Sequence, residues 1–180
     1  MKPRQLSAIA LLAALGAVMR IGFGKVALVV PLEIYGVFIK VGLTETLTFV
    51  AGFALGPLQG FLTGFLTVIV SDIFMMPGPW TPFIAAIIGL IGVLSGILRR
   101  LADDPSKLFL GLSAIALTSM SEFLQNAWFA LFFQIPLMPT LLMGIPSMVT
   151  ALVNNVILFT LLGNRMVKMV REVASQPKDG

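Results

Sequence analysis

The chain has 180 residues, 58% hydrophobic and 11% charged, with a mean hydropathy of +1.01 and a net charge of +4. A soluble domain is about half apolar and a quarter charged, so this is the composition of an integral membrane protein, and its length suits one compact domain over 1–180. Without cysteine or histidine the chain has no disulfide, no thiolate or imidazole metal site and no Ser-His hydrolytic pair.

Crossing a bilayer takes roughly 20 apolar residues per helix, and the sequence predicts six such segments. The first, Leu6–Phe23, contains "SAIALLAALGAVMR", in which Ala10 and Ala14, and Ala13 and Ala17, are pairs four residues apart. Each pair shares a helix face where small side chains admit a second backbone, either inside the bundle or on a docking subunit. The basic start and apolar middle of this segment also fit a secretory signal. No A-x-A cleavage site follows, and its removal would leave an odd number of spans, so it is read as a retained helix. Next comes "KVALVVPLEIYGVFIKVG", too long for a simple turn and too broken for a span. It is read as a structured external loop or re-entrant segment.

The second segment, Leu43–Leu55, is short, and "FALGPLQG" turns it sharply into the third, Pro57–Phe74. There Gly60 and Gly64 favour internal helix packing. Asp72 at the outer end is solvated, caps the following loop, or faces a solute. The loop "MMPGPWTP" brings Trp80, an interfacial belt residue or a stacking platform for a flat ligand. The fourth segment is Thr81–Leu101, the fifth Lys107–Phe133 and the sixth Thr140–Met166, with a flexible tail over 171–180.

The fifth segment holds the sharpest feature, "TSMSEFLQNAWFALFF". At about 100° per residue, Thr118, Ser119, Glu122, Gln125, Asn126 and Phe129 share one face. A charged group near the middle of a bilayer costs on the order of 2.5–3.5 kcal/mol. Two carboxamides beside it also need partners. Ser147, Thr150 and Asn154 on the sixth segment, with Asn155 alongside, form a candidate facing stripe. Three readings follow: a closed hydrogen-bond network between helices, a polar lining for an outward-facing solute pocket, or a proton or ion relay.

Basic residues set the orientation. With the N-terminus inside, Lys2, Arg4, Arg99, Arg100, Lys107, Arg165, Lys168, Arg171 and Lys178 are cytoplasmic and only Arg20, Lys25 and Lys40 are external. This follows the positive-inside rule for six spans with both termini cytoplasmic. Because the basic residues cluster at segment ends, the positive charge does not indicate a nucleic-acid partner.

The run "KVGLTETLTFVAGFALGPLQGFLTGFLTVIVSDIF" followed by "GPWTPFIAAIIGLIGVLSG" resembles the substrate-binding S components of energy-coupling factor (ECF) transporters, and the alanine pairs resemble that family's docking motif. The resemblance extends from Leu6 to Gly163. It implies an all-α bundle of six transmembrane helices in the inner membrane of a prokaryote, which captures a vitamin at the outer face. The partners it implies are a transmembrane coupling subunit, docked on Ala10, Ala13, Ala14 and Ala17, and two ATPase subunits. The chain carries no G-x-x-x-x-G-K-[ST] of its own. Metal-transporting members use a histidine-rich N-terminus, so an organic vitamin is expected, with no metal and no cofactor. In outline, the family's pocket is lined by the first loop and the outer halves of the last three helices, which here implies Glu33, Tyr35, Trp80, Thr81, Glu122, Gln125, Asn126 and Asn154. Riboflavin, thiamine, biotin and cobalamin derivatives all suit this set. The alternative is a membrane scaffold of the rod-shape-determining type. An intramembrane enzyme is disfavoured, because rhomboid-type chemistry needs a histidine and Asp103 and Asp104 stand in a loop.

Overall fold

The computed structural model describes residues 3–29 and 42–175, without the side chains of 23–29 and 175. The described residues are helical apart from short connections: α1 (Pro3–Val29), α2 (Leu43–Leu55), α3 (Pro57–Met75), α4 (Thr81–Leu98), α5 (Lys107–Phe133) and α6 (Leu137–Leu158). A π-helical turn, Phe159–Gly163, then joins α6 to α7 (Asn164–Ser175). Four of these helices, together with the rod made by α6, the turn and α7, are long and apolar enough to cross a membrane; α2 is the short one. The outer surface is itself apolar, with Leu131 and Met143 80% and 81% exposed, as a lipid solvent requires.

At 13 residues α2 is only about 20 Å long. It lies at the centre of the bundle, with every residue from Thr46 to Ala54 buried. Two of its threonines bond back by one turn: the Thr46 and Thr48 hydroxyls donate at 2.8 Å to the carbonyls of Gly42 and Thr44. Phe49 and Phe53 form the core with Phe159 of the π-turn, the Phe49 and Phe159 rings being 4.5 Å apart.

The corner after α2 needs glycine. Gly56 has φ +123°, a conformation open to almost no other residue, and Pro57 then starts α3 where its missing N–H costs nothing. From there α3 packs on α2 and α4 backbone to backbone. A Cβ on Gly60 would fall 2.5 Å from the Gly52 Cα and 2.6 Å from the Gly92 carbonyl oxygen. The internal packing expected of Gly60 and Gly64 is what the structure shows.

α1 runs parallel to α3. Thr67 donates to the Ala13 carbonyl at 3.3 Å, and further along Arg20 pairs with Asp72. The start of α1 therefore lies at the end of the bundle where α3 begins and α4 stops.

Several boundaries differ from the sequence reading. α1 continues to Val29, so the first five residues of the expected loop are helical, and 30–41 lie outside the described residues. The last span starts at Leu137, with Pro136 as its N-cap, and extends well past Met166. The tail expected after Arg171 is helical to Ser175. Val167 is buried and Val170 packs against the core, while Arg171 lies 5.7 Å from the Phe53 ring centroid and pairs with Asp103 at 3.1 Å. These contacts hold a segment that hydropathy alone leaves loose.

Candidate functional site

α5 and α6 lie side by side, and the polar stripe of α5 faces this seam. Glu122 is 2% exposed, and Ser147 of α6 donates its hydroxyl to Glu122 Oε2 at 3.3 Å. One turn on, the carboxamides fold back along α5. Gln125 Nε2 donates to the Ser121 carbonyl and hydroxyl at 3.3 and 3.0 Å, and Asn126 Nδ2 donates to the Glu122 carbonyl at 2.8 Å. Their side-chain oxygens accept no hydrogen bond among the described residues. Gly144 makes room for Asn126, since a Cβ there would lie 2.6 Å from Oδ1. Pro146 interrupts the α6 ladder beside Ser147, because it has no N–H to offer the Leu142 carbonyl.

These groups border a cavity of about 260 Å³ lined by Trp80, Ile84, Glu122, Gln125, Asn126, Trp128, Phe129 and Ser147. Its walls are two indoles and two other apolar side chains, and its polar edge is a carboxylate, two carboxamides and a hydroxyl. Trp128 is held in an aromatic stack, with the Phe83 and Phe132 rings each 4.9 Å from it. Trp80 folds back over Gly78, where a Cβ would fall 2.5 Å from the indole. The arrangement suits a flat conjugated ring: apolar faces for stacking, and hydrogen-bonding groups along one edge.

Four of the eight expected pocket residues, Trp80, Glu122, Gln125 and Asn126, meet at this cavity. Thr81 does not face it. Its hydroxyl donates to Asp72 Oδ2 at 2.6 Å and accepts from the Gly78 N–H at 3.2 Å, so it closes the loop before α4. Asp72 is buried and also receives Arg20, which makes it a loop clamp and an ion-pair partner. Asn154 is half-buried and not among the lining residues. Its neighbour Asn155 turns to α5, donating to Thr118 Oγ1 at 2.9 Å in a buried pair, and its Oδ1 has no partner among the described residues. Glu33 and Tyr35 lie outside the described residues. The stripe thus divides: its lower part is a closed interhelical pair, and its upper part borders the cavity.

Sequence reasoning does not single out Trp128 or Ile84. Trp128 stands at i+3 from Gln125, a spacing that signals a shared face; Ile84 carries no such signal in an apolar helix.

The alanine pairs also divide. Ala13 and Ala17 are buried, on the side of α1 that packs on α3, whereas Ala10 and Ala14 are exposed beside Leu11 and Val18. Ala13 and Ala17 thus pack within the bundle, and Ala10 and Ala14 are the pair open to a second backbone.

A family model described as "ECF-type riboflavin transporter, S component" matches residues 1–168. No curated protein and no solved structure matches the chain.

Proposed function

The chain belongs to the family of ECF-type riboflavin transporter S components, and from that premise we propose that it captures riboflavin itself, in the cavity between α4, α5 and α6. The family is one of transporter substrate-binding subunits, not of enzymes. The observation that carries the proposal is the pairing of two indoles with a Glu–Gln–Asn–Ser edge around one cavity. The isoalloxazine of riboflavin is a flat tricycle with carbonyls, ring nitrogens and an imide N–H along one edge. Trp80 and Trp128 offer faces to the tricycle, and the side-chain oxygens of Gln125 and Asn126 accept from the imide or from ribityl hydroxyls. The second amide hydrogen of Asn126 donates to a ring carbonyl.

At about 260 Å³ the cavity falls just below the roughly 300–1,000 Å³ of small-molecule sites. Glu33 and Tyr35, which the family resemblance adds to the pocket, lie outside the described residues. Uptake is then driven by ATP hydrolysis on partner chains, through a coupling subunit docked on the Ala10–Ala14 face of α1.

Titration of riboflavin into the purified protein tests the proposal. Binding at one site should quench flavin and tryptophan fluorescence together, and excess thiamine or biotin should not displace the flavin. Displacement by either vitamin, or absence of flavin binding to folded protein, counts against it.

A further inference from the structure

A polar network outside the cavity joins α1 to the cavity wall. Arg20 of α1 donates to Asp72 and, at 2.5 Å, to Ser71 Oγ of α3. Asp72 passes the contact on through its other oxygen, which accepts from Thr81 Oγ1 at 2.6 Å. Thr81 in turn accepts from the Gly78 N–H at 3.2 Å, and its own N–H donates to the Gly78 carbonyl at 3.0 Å. Gly78 is the surface on which the Trp80 indole rests. Each link is short and each inner member is buried, Asp72 at 3% and Thr81 at 8% exposure. A partly buried ion pair of this kind is a weak source of stability, because desolvation offsets most of the attraction. Its directional bonds nevertheless fix geometry well.

We propose that Arg20, Asp72 and Thr81 are positioning residues, a strut that sets the Trp80 wall of the cavity from α1. None of the three lines the cavity. They act on the ligand only through the placement of Trp80. Because the far end of the strut is on α1, a shift of α1 against α3 moves the indole, so the helix whose Ala10–Ala14 face is offered for docking also holds one wall of the site. The proposal rests on the riboflavin-capture reading for its functional meaning, but its geometry is testable without a ligand.

The chain has two tryptophans, so Trp128→Phe leaves Trp80 as the sole tryptophan, read selectively by excitation at the red edge of its absorption. In that background, without ligand, Arg20→Gln, Asp72→Asn and Thr81→Val should each change the emission of Trp80 and raise its quenching by acrylamide. Thr81→Ser, which keeps the hydroxyl, should match the parent. Combining Arg20→Gln with Asp72→Asn should add nothing to the larger single effect, as expected for one connected unit. With Trp128 restored, Arg20→Gln, Asp72→Asn and Thr81→Val should weaken riboflavin binding about five- to tenfold, the scale of one lost hydrogen bond. Lower melting temperatures with an unchanged Trp80 signal would overturn the strut, as would a silent Arg20→Gln. If native protein binds no riboflavin while the Trp80 pattern holds, the capture reading falls and the strut stands.

Discussion

The Ser147 hydroxyl of α6 reaches the Glu122 carboxylate of α5 across 3.3 Å, and this contact sits at the edge of the cavity rather than beneath it. If the cavity binds riboflavin, Asn126→Ala should weaken binding by about 1–3 kcal/mol, because the ligand group it served is left unpaired. Glu122→Gln keeps the shape and removes the charge, so a neutral flavin should tolerate it far better than a cationic vitamin would. Calorimetry beside melting curves reads both. Unchanged affinity with a lower melting temperature would make these residues structural.

The division of the alanine pairs gives a matched experiment. Ala14→Trp, on the exposed face, should leave riboflavin binding intact and abolish uptake by cells carrying the energy module, since the bulky ring blocks close backbone approach. Ala13→Trp, at 4% exposure, should instead reduce the yield of folded protein. Equal effects of the two on folding would remove the docking assignment.

Helix contact through glycine predicts an asymmetric response to one methyl group. Gly60→Ala drives a Cβ into the backbones of α2 and α4 and should cost about 1–3 kcal/mol of stability. Gly22→Ala meets nothing within 4 Å and should be neutral or slightly stabilising through helix propensity. Thermal unfolding in detergent compares them.

Orientation can be read with single cysteines, because the native chain has none. Leu101 and Met76 are exposed, at 75% and 73%, in the connections at opposite ends of α4. An impermeant thiol reagent on intact cells should label Met76→Cys and spare Leu101→Cys. Both sites avoid Gly78, where any side chain meets Trp80, and Ser106, which caps α5 through the Phe109 N–H. The reverse labelling would invert the topology.

At the other end of the bundle, hydrogen bonds from Lys168 and Asn164, with the Lys168 charge, hold the Asp104 carboxyl below its ordinary value. Such a carboxylate binds its proton less readily folded than unfolded. Its contribution is therefore present above the ordinary aspartate value of about 3.9 and fades as pH falls through the lower folded value. The Lys168–Asp104 pair is solvent-exposed, so the effect should be small. Asp104→Asn should lower the melting temperature slightly at pH 7, and that difference should vanish in strong acid. A difference that persists at low pH would exclude the ion pair as its source.

The membrane class, the six apolar helical segments and the polar stripe on α5 were legible in the sequence because each is a local property. A run of apolar residues specifies a helix in lipid whatever it packs against, and an intramembrane carboxylate stands out wherever its partner is. Glycine at 60 and 64 and the Gly56–Pro57 corner were legible for the same reason: backbone sterics act within a turn or two. The tertiary structure alone decided which way each face points. Lipid is as apolar as the bundle interior, so hydropathy cannot separate buried Ala13 from exposed Ala14, or the lining of the cavity by Ile84 from lipid contact. A shift of one residue turns a helix by about 100°, enough to bring Asn155 rather than Asn154 against Thr118. The pairing of Arg20 with Asp72 joins residues 52 positions apart, and the docking of α7 through Arg171 onto Phe53 joins residues 118 apart. Such contacts depend on how whole helices cross, which no local window of sequence contains.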